Sequence, residues 1–65
     1  MSQTELILQY LQAGNHLTPL EALELFGCFR LGARVWDIIH KRGIFVHSQL
    51  VKDMHTGKHY SEYYL

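Results

Sequence analysis

The segment TPLEALELFGCFRLGARVWDIIHKRG, residues 18–43, contains the strongest local structure signals in the sequence. Thr18 can cap a helix, and Pro19 fits a first helical turn because its missing N–H would have no partner there. Glu21 completes a capping box with Thr18, and Gly27 is a typical residue at the end of a helix. The segment therefore predicts a helix of about two turns, followed by a glycine turn.

Apolar residues recur at helical spacing on both sides of this turn. The shorter helix carries the apolar residues Leu20, Leu23 and Phe26. A longer helix begins near Phe29 or Arg30 and ends at Gly43. Its apolar stripe consists of Leu31, Val35, Ile38 and Ile39. An alternative register would bury Ala33 and Trp36, but it would bury less aliphatic surface, so the first register is predicted.

The sequence on either side of this segment predicts further elements. Ser2 and Glu5 have the spacing of a second capping box and predict a first helix over residues 3–13. After the third helix the pattern changes to extended runs at 44–51 and 59–65, separated by a glycine-containing loop. Such a hairpin is stable only when it packs on the helices.

The order of these elements predicts an α+β fold, a winged helix-turn-helix, with three helices followed by a C-terminal β-hairpin wing. The length fits a single domain over residues 1–65. Leu17 is apolar between polar neighbours and is predicted to pair briefly with a strand. In this fold the second helix of the helix-turn-helix enters the major groove of DNA.

The charges of the chain are unevenly distributed although they sum to zero. Residues 1–29 hold three Glu and no Lys or Arg, whereas residues 30–65 hold six Lys or Arg against three carboxylates. This asymmetry indicates an anionic partner for the C-terminal part. The predicted contacts to double-stranded DNA are Arg30, Arg34, Lys41, Lys52 and Lys58. Asp37 lies on the same helix face as the arginines, so this surface is mixed.

Aromatic residues near the C-terminus exceed what one small core can hide. Trp36, Tyr60 and Tyr64 are therefore candidate contacts for a protein, either a second copy of this chain or a different partner. The alternative is that the tyrosines lie flat on the sheet as ordinary surface groups.

Several classes of function have no support in the sequence. The histidines lack companion residues at metal-ligand spacing, and the lone Cys28 is predicted to be a buried, inert thiol. We see no catalytic triad or phosphate-binding glycine loop, and so small a chain has little room for a ligand pocket of roughly 300 Å³. We expect a non-enzyme with no cofactor and no small-molecule substrate. The short apolar runs and the absence of a signal peptide predict a cytoplasmic protein without a membrane partner.

The sequence over residues 17–65 resembles a family of small helix-turn-helix proteins of phages, prophages and bacteria. The resemblance lies in LTPLEAL at 17–23, Phe26-Gly27, RLGARV at 30–35, Asp37-Ile38, Lys41-Arg42-Gly43 and the Tyr-rich last strand. It implies a winged-helix DNA-binding module with Arg30 and Arg34 on the recognition helix. Trp36 and the histidine-rich hairpin depart from the pattern of that family.

The sequence thus predicts a DNA-binding protein, a phage or prophage transcriptional regulator or an excisionase-like factor. The third helix would enter the major groove and the hairpin would hold the backbone. The alternative is a winged helix that binds a protein, such as a phage-encoded inhibitor of a host protein.

Overall fold

The computed structural model describes residues 2–65, and within them three helices precede two strands. The elements are α1 (Gln3–Gln12), α2 (Pro19–Phe26), α3 (Leu31–Arg42), β1 (His47–Lys52) and β2 (His59–Tyr64). This order confirms the α+β winged helix-turn-helix predicted from the sequence. Within residues 2–65, no helix combines the length and the apolar character needed to cross a membrane.

The predicted caps fix the ends of the helices. The Ser2 hydroxyl accepts a hydrogen bond from the Glu5 N–H at 3.2 Å and begins α1. At α2 the capping box is complete: the Glu21 N–H donates to the Thr18 hydroxyl at 3.2 Å, and the Thr18 N–H donates to the Glu21 carboxylate at 3.2 Å. Gly27 follows α2 with φ 64°, a left-handed conformation that glycine adopts without steric cost.

Replacing Thr18 with alanine should lower the free energy of unfolding by about 1–2 kcal/mol, because the first turn of α2 loses its cap. Thr18 is buried, so water cannot fully replace the lost hydroxyl. Urea denaturation of the variant measures the effect. Thr18→Ser keeps the hydroxyl and should stay within about 0.5 kcal/mol of the natural chain. Equal stability of the alanine and serine variants would show that the cap contributes nothing.

The core lies between α1, α3 and the loops that flank them. Its buried side chains are Ile7, Leu8, Leu11, Leu17, Ala22, Cys28, Leu31, Val35, Ile38 and Val46. The set confirms the predicted register of α3 and the burial of Cys28. An ion pair between Arg42 and Glu5, at 3.0 Å, joins the end of α3 to α1 at the surface.

The apolar residues of α2 do not all face the core. Only Phe26 of the predicted stripe packs there, edge-on against Tyr10 with ring centroids 5.5 Å apart. Leu20 is 64% exposed and Leu23 is also exposed. The reason is that α2 packs through Ala22 and Phe26, one helical turn apart, which turns the two leucines outward.

The hairpin pairs β1 and β2 antiparallel, from His47 opposite Tyr64 to Lys52 opposite His59. The prediction for Leu17 is confirmed: its N–H donates to the Tyr63 carbonyl and its carbonyl accepts from the Tyr63 N–H, both at 2.8 Å. Leu17 thus forms a single antiparallel bridge beside β2. The first strand begins at His47 rather than at residue 44 as predicted. Residues 44–46 lie beyond the paired register, and Val46 is buried in the core instead.

Candidate nucleic-acid interface

One face of α3 points away from the core. Because a helix turns 100° per residue, the residues opposite buried Leu31, Val35 and Ile38 are those near Ala33 and His40. Ala33, Trp36 and His40, spaced by three and four, form a line that we call the outer stripe. Trp36 is 55% exposed, and its ring centroid lies 4.5 Å from that of His40.

The predicted helix cations lie along one edge of α3, which also carries a carboxylate. Asp37 contacts an Arg34 nitrogen at 3.3 Å and the Lys41 ammonium at 3.6 Å. The side chain of Asp37 is the least exposed of the three, so it holds the two longer cations along the helix. Arg30 occupies the N-cap position of α3, makes no capping hydrogen bond with its side chain, and is exposed. We call Arg30, Arg34, Asp37 and Lys41 the charged edge; three cations against one carboxylate leave it positive.

The hairpin adjoins α3 on the side away from the charged edge. A Cβ added at Gly32 would lie 4.0 Å from the Tyr63 hydroxyl, so β2 approaches the helix there. Gly32 and Arg34 are about 160° apart around the helix axis. The outer stripe therefore runs between the charged edge on one side and the hairpin on the other.

The hairpin lysines lie at its far end. Lys52 is in the last cross-strand pair, and Lys58 is in the turn, where its carbonyl accepts from the Asp53 N–H at 2.7 Å. Both lysines are exposed. Since Ser48 pairs with Tyr63 and a strand rises about 3.3 Å per residue, Lys52 lies roughly 13 Å further along the hairpin. The five predicted cations thus form two groups, one along α3 and one at the far end of the hairpin, where Asp53 and Tyr60 lie near Pro19 and Leu20 at the start of α2.

The three candidate protein contacts have different surroundings. Trp36 lies on the outer stripe, while Tyr60 is 36% exposed on β2. Tyr64 is half-buried and stacks between His16 and His47, with ring centroids 4.7 Å and 5.2 Å away. This stack joins His16, in the connection between α1 and α2, to both strands of the hairpin, so Tyr64 has a packing role within the fold.

The carboxylate of Glu62, which lies beside this stack, has a lowered pKa. Glu62 interacts with His16 Nδ1 at 3.1 Å and accepts a hydrogen bond from Gln49 Nε2 at 2.7 Å. These hydrogen bonds, that of His16 first, lower the pKa of Glu62 from its usual value of 4.5. The charged form of Glu62 is therefore the form that favours the folded hairpin.

The lowered pKa of Glu62 predicts a loss of stability in acid. A depressed pKa stabilises the fold above the unfolded value, and this contribution disappears as the pH falls below about 4.5 through the folded value. Glu62→Gln should remove part of that acid sensitivity, which urea midpoints between pH 7 and pH 3 would measure. Glu24→Gln, at an exposed carboxylate of α2, is the matched control. Midpoints that fall in parallel for all three proteins would contradict the assignment.

Phe29 and His40 were not among the residues predicted from the sequence. Phe29 precedes the cap of α3 and is 87% exposed, while His40 lies on the outer stripe. For His40 the signal is present in the sequence, because it lies opposite the predicted buried stripe. Phe29 has no such signal, since its exposure depends on the path of the turn between α2 and α3.

The surface of the described residues carries open depressions but no cluster of metal-ligating side chains. An open depression beside Gln12, of about 490 Å³, is larger than the roughly 300 Å³ for which the sequence left little room, and one beside Leu20, of about 300 Å³, equals it. Within residues 2–65, no three His, Cys, Asp or Glu side chains are grouped so that they could hold a metal ion.

A helix with an exposed outer stripe, preceded by a glycine turn and flanked by an antiparallel hairpin, defines a winged helix-turn-helix protein. The chain belongs to the winged helix-turn-helix domain family, whose model matches residues 2–65. Domains of this family are generally DNA-binding and typically not enzymes. Comparison with curated proteins and with solved structures gives no significant match.

Proposed function

We propose that this chain binds double-stranded DNA with sequence preference, with α3 in the major groove and the hairpin on the backbone. The observation that carries the proposal is the exposed outer stripe of α3, bordered on one side by the positive charged edge. The major groove is about 12 Å wide and admits a helix, and its walls are lines of phosphates. A helix with a positive edge beside a narrow outer stripe, and with lysines further out on the hairpin, has a complementary charge distribution.

Each proposed contact has a distinct task. Arg30 and Arg34 near the start of α3 reach guanine edges or phosphates, and Lys41 reaches a phosphate further along the groove. Lys52 and Lys58 hold the neighbouring backbone or minor groove from the hairpin. Arg42 is left out, because its ion pair with Glu5 keeps it at the junction of α1 and α3.

The biological role that we propose is that of a phage or prophage transcriptional regulator or an excisionase-like factor. It is supported by the resemblance of residues 17–65 to small phage and prophage helix-turn-helix proteins. We further propose that 1–65 acts as one domain and binds as a homodimer or on tandem sites, because one small module has a limited footprint. A footprint of two half-sites one helical turn apart would support this arrangement.

Affinity for duplex DNA should fall steeply with salt. Neutralisation of about four phosphates predicts a slope of about −3.6 in a plot of log binding constant against log salt concentration. Fluorescence anisotropy on a labelled random-sequence duplex between 50 and 200 mM salt would measure it. An affinity that stays flat over this range would contradict the proposal.

A variant that lacks the carboxylate of the charged edge can be tested in the same anisotropy experiment. Asp37→Asn frees Arg34 and Lys41 from their shared partner, so the variant should bind roughly three- to tenfold more tightly at low salt with a steeper slope. Glu24→Gln makes the same charge change on α2 and is the control. An equal gain in both variants would show that net charge alone, rather than the charged edge, sets the affinity.

The second candidate function is that of a protein-binding winged helix, such as a phage-encoded inhibitor of a host protein. The exposure of Trp36 and Tyr60 favours it. Such a complex would be stoichiometric and would survive salt concentrations that release DNA. Tyr60→Ala should weaken that complex and leave duplex affinity unchanged, and the reverse pattern would exclude this function.

A further inference from the structure

We propose that Phe29, Ala33 and Trp36 read the methyl groups of thymine in the major groove. The inference rests on the proposed DNA-binding function and deepens it, since it names the base feature recognised by α3. It concerns the centre of the interface, whereas the predicted cations lie on its flanks.

The side-chain chemistry of Phe29, Ala33 and Trp36 limits which base features these residues can recognise. Exposed Phe29, just before α3, and half-buried Ala33 have no polar side-chain atom, and exposed Trp36 has a single N–H donor. Base edges in the major groove present donors, acceptors and one apolar group, the C5 methyl of thymine. Apolar side chains match that methyl group and cannot distinguish the donors and acceptors of the other bases.

The shape of α3 allows a close approach at this position. Gly32 and Ala33 are the smallest residues of the helix and lie in its first turn. Phe29 extends from the turn directly before them and is 87% exposed, and Trp36 follows one turn later. The small side chain of Ala33 lets the helix backbone come near the bases, while the two aromatic rings reach methyl groups on either side.

The charges around the outer stripe favour DNA over a second copy of the chain. The charged edge borders the stripe on one side, and the hairpin lysines lie further away, so positive charge adjoins an apolar centre. A two-fold dimer built on this face would bring like charges together, which is unfavourable. A major groove has phosphates along its walls and thymine methyl groups on its floor, so it matches both the positive charge and the apolar centre of this face.

The test removes methyl groups from the DNA and leaves the protein unchanged. The full chain first selects duplexes from a random pool of 20 base pairs, and the selected duplex is resynthesised with deoxyuridine in place of thymidine. Burial of one methyl group corresponds to about a fourfold difference in affinity. We expect at least roughly tenfold weaker binding to the uracil duplex, arising from two or more contacted methyl groups.

Variants then assign the effect to residues. Phe29→Ala and Trp36→Ala should weaken binding to the thymine duplex and reduce the difference between the two duplexes. Both side chains are exposed, so the fold should persist, and circular dichroism checks this. Lys58→Ala, at an exposed residue of the hairpin turn, is the control and should weaken binding to both duplexes equally.

The outcomes separate this inference from the function on which it rests. Equal affinity for the thymine and uracil duplexes would overturn the methyl contacts and leave DNA binding intact. Failure to bind any duplex at low salt would overturn both. Loss of methyl sensitivity in Lys58→Ala but not in Phe29→Ala or Trp36→Ala would also overturn the assignment to α3.

Discussion

Replacing Ala33 with glutamate should abolish binding to duplex DNA and leave the fold intact. Ala33 lies on the outer stripe, so the new carboxylate would enter the groove between its two lines of phosphates. A carboxylate about 6 Å from a phosphate, at an effective dielectric constant of about 20, costs about 3 kcal/mol, a loss of roughly 100-fold in affinity. The fold should tolerate the change, because an acidic residue in the first turn of a helix interacts favourably with its dipole.

The control for this variant is Ala33→Gln, which adds nearly the same volume without charge. We expect it to weaken binding much less than Ala33→Glu in the same anisotropy titration. Thermal denaturation should give Ala33→Glu a melting temperature at or above that of the natural chain. Undiminished duplex affinity in a folded Ala33→Glu would place the DNA contact on another face of the protein.

Replacing Ile38 with alanine should unfold a large fraction of the protein. Ile38 is 0% exposed and lies at the centre of the α3 stripe. A buried Ile→Ala change costs about 2–5 kcal/mol, and a chain of this length has a total stability of about 3–10 kcal/mol. Because each kcal/mol shifts the melting temperature of a small domain by about 4–8 °C, a decrease of about 10 °C or more is expected.

Two further variants make this result specific. Ile38→Val removes one methylene group and should cost only about 0.5–1.5 kcal/mol. Trp36→Ala, on the outer stripe of the same helix, should change stability by less than Ile38→Ala despite the larger side chain. A larger loss at Trp36 than at Ile38 would mean that the register of α3 is wrong and that its outer stripe is buried.

The fold was largely predictable from the sequence, because its helices end at residues with strong local preferences. The Thr18 cap and the glycines at 27 and 43 act within one turn of the backbone and need no tertiary contact. The outward Leu20 and Leu23 were not predictable in this way. Their exposure follows from packing through Ala22, and a residue with so small a side chain gives a weak periodic signal.

The candidate site was only partly predictable, because the position of the hairpin beside α3 depends on a contact between residues far apart in the sequence. Helical spacing places Arg34, Asp37 and Lys41 on one edge of α3, and the ion pairs between them agree with that. Spacing alone cannot tell which side of α3 the hairpin occupies. That depends on the approach of Tyr63 to Gly32, between residues far apart in the sequence, and it decides on which side of the outer stripe the hairpin lies.

The most direct test of the account is an NMR titration of the ¹⁵N-labelled chain with a selected 20-base-pair duplex. Trp36 is the only tryptophan, so its indole N–H gives one resolved signal on the outer stripe. The account predicts that this signal, the amides of Ala33 and His40, and that of Lys58 in the hairpin shift together, and that high salt reverses the shifts. Shifts confined to α1 and α2, with the Trp36 indole unchanged, would contradict it.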